Sequence, residues 1–185
     1  MNTKILNTCA AGALLLTALS SQARNIPSPD GRFAIRAESA IELLDSTGQP
    51  VLTLINNTAG DTKVEVAWSP DSRRLAIVET SGRGSDIVAA WRDGDVWHKT
   101  IEMDADQAGM IQQAQREFGG RLVSERRTLG SWISGNAVKV HGEMTFTGGR
   151  KCAFAYTLEF GHGPIHLSRA GYEDGAVVGT QFQIL

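Results

Sequence analysis

Cysteine is almost missing from this chain, which has two in 185 residues, Cys9 and Cys152. Cys9 lies in an N-terminal segment expected to be removed, and one remaining thiol closes no internal disulfide. Stability must then come from packing alone. A dominant sign of charge is missing too, with 18 Lys and Arg against 20 Asp and Glu and the two signs interspersed. No basic stripe arises, which argues against nucleic acid or an anionic membrane as partner. Catalytic and metal signatures are also absent. The sequence has no Cys-x-x-Cys, His-Glu-x-x-His or Gly-x-Ser-x-Gly pattern, so neither zinc chemistry nor a serine nucleophile is indicated. Ser81-Gly82-Arg83-Gly84-Ser85 resembles a phosphate-cradling loop only in its glycines, because the Gly-Lys-Ser/Thr ending is missing. A loop joining two strands is expected there, and no metal or other cofactor is implied.

The longest apolar run, Ala10 to Leu19, is interrupted by Gly12 and Thr17. It falls short of the ~20 residues that span a bilayer. Lys4 precedes it and the small-x-small triplet Ser21-Gln22-Ala23 follows. These are the parts of a cleavable signal peptide over residues 1–23, cut after Ala23. A lipidated cysteine would follow the apolar run, whereas Cys9 precedes it. The mature chain, residues 24–185, is expected to be one periplasmic or secreted domain with no stable membrane anchor.

One phrase occurs twice. Ser28-Pro29-Asp30-Gly31-Arg32-Phe33-Ala34-Ile35 returns 41 residues later as Ser69-Pro70-Asp71-Ser72-Arg73-Arg74-Leu75-Ala76-Ile77. Asp30 and Asp71 are read as turn-makers, since Pro pre-sets its own φ and Asp can accept from the backbone two residues on. Around the first copy, residues 33–37, 40–44 and 50–55 read as short strands. Asn56-Asn57-Thr58 fits a glycosylation sequon, but the segment 56–62 reads as a polar linker turn. Around the second copy, residues 64–68, 74–80, 86–92 and 96–101 read as strands, the last two closed by the hairpin signal Asp93-Gly94. The two units span residues 28–55 and 64–101.

Trp68-Ser69-Pro70-Asp71-Ser72-Arg73-Arg74-Leu75-Ala76 resembles the blade motif of TolB-like and other WD-repeat-related β-propellers. There an aromatic ends one strand, Ser-Pro-Asp-Gly turns the chain, and an apolar pair opens the next strand. The resemblance covers about residues 28–101. It departs at Pro27, where the first copy has no aromatic, and at Ser72, which stands in place of Gly. It implies a propeller-like fold and no particular activity, because propellers host many functions.

Asp104 to Phe118 reads as a helix, with Asp104 as N-cap, Gln107 three residues on, and Ile111, Ala114 and Phe118 on one face. A three-stranded meander is expected over residues 136–170. Val138, Val140, Met144 and Phe146 alternate with polar residues, as do Cys152, Phe154, Tyr156, Leu158 and Phe160 with Ala, Thr and Glu. Face matching pairs Phe146 with Cys152 and Phe160 with Ile165. It places Lys139, Glu159 and His166 in one row on a wet face, and something must cover the greasy one. Cleavage at Ala23 leaves no room for a first strand in the first unit, beside which Val177 to Leu185 is a candidate last strand.

The expected fold is mainly β, with two propeller-blade-like units, one helix and the meander. Three small sheets are too few for a closed propeller of at least four blades. The chain is therefore an incomplete or open propeller or a two-layer β arrangement, and a homodimer that completes the array is the alternative. The leading functional reading is an exported, non-enzymatic protein that binds another protein through a sheet edge or loop end. Candidate contacts are Trp91 and Trp97, on opposite faces beside the Asp93-Gly94 turn, and Lys139, His141, Glu159 and His166. The last three also support a second reading, a small-ligand or metal-binding module, and an inhibitor or immunity-type protein is a narrower form of the first. Core packing for the tryptophans and a ladder of opposite charges for the polar row are the competing structural readings.

Overall fold

The computed structural model describes residues 25–56, 58, 62–82, 84–101, 104–160 and 166–172, with 101, 104–108, 110 and 166–172 described by backbone alone. Three antiparallel meanders carry the β structure, each an open four-stranded sheet in chain order. The first comprises β1 (Asn25–Pro27), β2 (Phe33–Ala37), β3 (Ile41–Asp45) and β4 (Pro50–Ile55). The second comprises β5 (Lys63–Trp68), β6 (Arg74–Ser81), β7 (Gly84–Asp93) and β8 (Val96–Ile101). Helix α1 (Asp104–Phe118) leads to the third, β9 (Leu122–Ser134), β10 (Ala137–Phe146), β11 (Lys151–Glu159) and β12 (His166–Tyr172).

The sheets stack face to face. Ile35, Ile41, Leu43 and Leu54 of the first sheet share a core with Val66, Trp68, Leu75, Ile77 and Val88 of the second. The alternate residues of the second sheet, Ala67, Ala76, Val78, Ile87 and Ala89, pack with Val138, Val140, Phe154 and Tyr156 of the third. Burial on both faces is why β6 and β7 read as continuous apolar runs instead of alternating ones. Fully burying one such Ile or Val side chain stabilises the fold by roughly 1.5–3 kcal/mol. The arrangement is therefore three-layered, which corrects the two-layer expectation.

Several expected details also change. The first unit does have a first strand, since β1 pairs Ile26 with Ile35 and Asn25 with Arg36. Three residues suffice because the first Ser-Pro-Asp turn returns the chain at once. The third sheet has four strands, not three. Its first strand β9 hides from periodicity because two of its inward positions are Glu125 and Arg127, both buried. At Ser81 to Ser85 the strands run on to a tight turn, with Ser81 opposite Gly84.

The β10–β11 register is offset by two from expectation, with Met144, not Phe146, opposite Cys152. The turn sets this offset: Phe146 N donates to Arg150 O at 2.8 Å and Gly149 N to Phe146 O at 3.0 Å. Gly148 and Gly149 supply the left-handed φ values, 85° and 78°. A slip of two keeps every side chain on its face, so pattern alone cannot detect it. Leu158 pairs with Leu167 and Glu159 with His166, which continues the expected register toward Ile165, a residue outside those described. Residues 1–23 and the candidate strand 177–185 also lie outside them.

The greasy face of the third sheet is covered by the second sheet and by α1. Ala114 is fully buried and Ile111 and Phe118 pack on the same core. Phe118 stacks on Phe146 with ring centroids 6.4 Å apart, and Arg150 Nη1 donates to the Phe118 carbonyl at 2.6 Å. Gly119 and Gly120, at φ 69° and 89°, end the helix.

On the same inward face, Gly142 lies opposite Phe154 in the register. A Cβ at Gly142 would sit 2.1 Å from Phe154 Cζ, so the ring occupies the space a side chain would take. Gly142→Ala should cost about 1–3 kcal/mol, the range for overpacking a core, read as a lower urea midpoint with unchanged slope.

Candidate functional site

The two Ser-Pro-Asp turns are built alike. In the first, Ser28 Oγ donates to Asp30 Oδ1 at 2.7 Å, while Arg32 N donates to the same oxygen at 3.1 Å and Phe33 N to Ser28 Oγ at 3.1 Å. In the second, Ser69 Oγ donates to Asp71 Oδ1 at 2.6 Å, Arg73 N to the same oxygen at 3.1 Å and Arg74 N to Ser69 Oγ at 2.9 Å. Both aspartates thus act within their turns. Burial alone would raise the Asp30 pKa, but hydrogen bonds from Ser28 and Arg32 and the Arg32 charge outweigh it and bring it down to about 2. Asp71 is lowered on the same balance, with Ser69, Arg73 and Arg74 overcoming its burial.

The departure at Ser72 has a structural use. Ser72 holds φ 58° where Gly31 holds 70°, and its hydroxyl accepts the Asp30 N–H at 3.0 Å. The residue that breaks the motif therefore ties one turn to the next. A third turn, Ser134-Gly135-Asn136 between β9 and β10, joins them without the phrase. Ser134 Oγ donates to Asn136 Oδ1 at 2.7 Å, and Arg74 Nη1 reaches both Asp71 Oδ2 at 3.1 Å and Gly135 O at 3.0 Å. All three turns lie together at one end of the stack.

Beside them, Arg74, Trp91 and His98 form one cross-strand row. Trp91 and His98 are stacked, with centroids 5.6 Å and planes 24° apart. Trp91 is half-buried and His98 exposed, while Val96, next on the same face, is 59% exposed. Ile133, just before the third turn, is 60% exposed. Trp97 is a correction, because it is buried between the first and second sheets against Phe33 and Trp68, at 5.2 and 6.1 Å. Arg92 covers that aromatic group, with its guanidinium 5.3 Å from the Phe33 ring and Nη2 2.5 Å from Asp95 Oδ1. Sequence reasoning missed Arg74, His98, Val96 and Ile133. The parity of the Asp93-Gly94 hairpin does place Val96 and His98 on the Trp91 face.

The polar face of the third sheet is only partly as expected. Lys139 faces Thr157, and Glu159 faces Ala137 and His166, so the two-residue register offset breaks the expected row at Lys139. His141 lies opposite Ala155 and against Gly130, where a Cβ would meet the imidazole at 3.2 Å. Among the described residues, no three of His, Cys, Asp and Glu gather where they could hold a metal ion.

Away from the turn end, Glu79 faces Asp86 across β6 and β7 and is buried. Burial and then the Asp86 charge raise its pKa. A carboxyl whose folded pKa is raised weakens the fold above that pKa and ceases to do so as acid protonates it. Glu79→Gln should therefore raise the melting temperature at neutral pH, and the gain should shrink to nothing at a pH below the normal carboxylate range.

Ser72→Ala should cost about 1 kcal/mol, because it keeps the left-handed strain and loses the bond to Asp30. Ser72→Gly, which relieves the strain, should cost less than Ser72→Ala. Denaturant melts of both variants check the order.

No family model, curated protein or solved structure matches this chain. Among the described residues, no helix is long and apolar enough to cross a membrane.

Proposed function

We propose that the chain is an exported, non-enzymatic binding protein, acting in the periplasm or beyond the cell, whose contact surface for another protein is the turn end of an open, propeller-type array. The observation that carries this reading is the stack of half-buried Trp91 on exposed His98, with exposed Val96 beside it, next to three interlocked turns. An aromatic on a rigid support, partly apolar and partly wet, is the usual anchor of a protein contact. The turns hold that support still, so little order has to be acquired on binding.

The propeller-type reading is supported by the face-to-face stacking of three meanders and the matched turn geometry of the first two. The outward faces favour a single open array over completion by a second copy. Arg36 and Glu42 form an ion pair on the outer face of the first sheet, with Nη2 to Oε2 at 2.5 Å. Lys139, His141 and the Lys151–Glu143 pair, at 2.8 Å, occupy the outer face of the third. Where the middle of β6 and β7 in the second sheet buries apolar side chains on both faces, the outward faces of the two end sheets carry charge, as terminal units of a repeat array do.

Cross-linked pull-down from the exporting cell tests the contact. Placing Val96→Asp with His98→Ala should reduce partner recovery roughly 30-fold, the loss of a ~2 kcal/mol anchor. Lys139→Ala with His141→Ala should leave it unchanged. Undiminished recovery with the first pair, or loss only with the second, overturns the assignment.

A further inference from the structure

A strand at the border of a sheet leaves every second N–H and C=O without a ladder partner, and an exposed border of this kind accepts a further strand. The chain closes four of its sheet borders. On β4 the Thr53 and Leu54 carbonyls accept Lys99 Nζ at 2.6 and 3.0 Å. On β9 Arg127 N donates to Ser85 Oγ at 3.1 Å and Leu129 N to Glu65 Oε2 at 3.0 Å. Strand β1 has three residues and ends in Pro27, which carries no N–H. Strand β5 is buried from Val64 to Trp68, out of reach of another chain.

The border at β8 is different. Arg92 N donates to Arg73 O at 2.8 Å, so this residue of β7 bonds toward β6. Trp97 lies opposite Arg92 in the β7–β8 register, and the two therefore exchange no backbone bond. The N–H and C=O of Trp97 point away from β7. By alternation those of Lys99 do the same, whereas His98 and Thr100 bond to β7. Among the described residues, β7 is the only strand beside β8, and no turn or loop bond reaches the outward groups of Trp97 or Lys99. Val96 is 59% exposed, and His98 and Lys99 are exposed too, so solvent reaches this border. It begins at the Asp93-Gly94 turn, next to the Trp91–His98 stack.

From these outward groups we infer that the partner enters as an extended segment, which pairs with β8 and adds a strand to the second sheet. The inference rests on the turn-end contact proposed above and names its mode. The outward N–H and C=O groups of Trp97 and Lys99 hold the segment by its backbone. Its side chains then alternate between two faces. Those on the Trp91 face fall beside Val96 and His98, where apolar or aromatic residues pack best. On the other face Trp97 is buried and Lys99 is held by the β4 carbonyls, so small polar residues suffice. The segment that fits is therefore an extended one with an apolar residue at every second position.

Amide exchange of the unsubstituted chain tests this with a short soluble peptide in which valine alternates with threonine between terminal lysines. With about millimolar peptide, the Trp97 and Lys99 amides should exchange roughly tenfold more slowly, while those of His98 and Thr100 should keep their rates. The same peptide with every backbone nitrogen methylated should protect neither. No protection at Trp97 and Lys99, equal protection of all four amides, or protection confined to β12 overturns the inference. Protection that follows the concentration of the chain without peptide also overturns it, by assigning the border to a second copy. The pull-down with Val96→Asp and His98→Ala judges the turn-end contact separately. Partner loss there without strand protection keeps the contact and removes this mode, and strand protection with undiminished recovery removes the contact.

Discussion

The second sheet is buried on both faces, and the other elements are arranged to cover it. Trp68, Leu75 and Ile77 require a sheet on one side, and Ala67, Ala76 and Ala89 require another on the opposite side. Because successive residues of a strand point to opposite faces, no residue in the middle of β6 or β7 is available to solvent. The neighbours do not share this constraint. The first sheet turns Ile35 and Leu43 inward and Arg36 and Glu42 outward, and the third turns Val140 and Phe154 inward and His141 and Ala155 outward. A one-residue slip in either would drive charge into a core, so the double-faced strands also set the register around them.

The turn end follows from the same stacking. Once sheets lie face to face with equivalent strands aligned, the turns from first to second strand must fall side by side. Ser72 and Arg74 then exploit this closeness, one accepting the Asp30 N–H and the other reaching the Gly135 carbonyl. Arg74 also begins the row that holds Trp91 and His98. One side chain thereby links the structural repeat to the surface proposed for binding.

Much of the fold was legible because its signals are local. The Ser-Pro-Asp turns, Asp93-Gly94 and the helix from Asp104 to Phe118 depend on residues within a few positions of one another. What was not legible depends on contacts far along the chain. Strand β9 places Glu125 and Arg127 where periodicity expects apolar residues, and their burial makes sense only with Tyr156 and Ser85 beside them. The register of β10 on β11 was missed because a two-residue shift preserves every face. Of the expected contacts, Trp91 stays at the surface edge and Trp97 does not, although both flank the same turn. Their faces differ, and only the stacking shows that the Trp97 face meets Phe33 near the turn, where the first sheet still covers it. The Lys139, Glu159 and His166 row lost Lys139 with the mistaken register, while Glu159 still faces His166 as expected.

Charge is distributed through the stack in a way that apolar patterning could not foretell. At the two ends it lies on outward faces, where Arg36–Glu42 and Lys151–Glu143 remain wet and contribute little to stability. Between the second and third sheets it is buried, and there an apolar replacement of similar shape would serve packing as well or better. A buried ion pair in that position is not explained by stability. The Arg127 and Leu129 N–H groups, held by Ser85 and Glu65, are thereby withheld from a foreign strand at the free edge of β9. Protection of that edge thus depends on Ser85 and Glu65, two polar side chains placed where the packing of the second sheet alone would call for apolar ones.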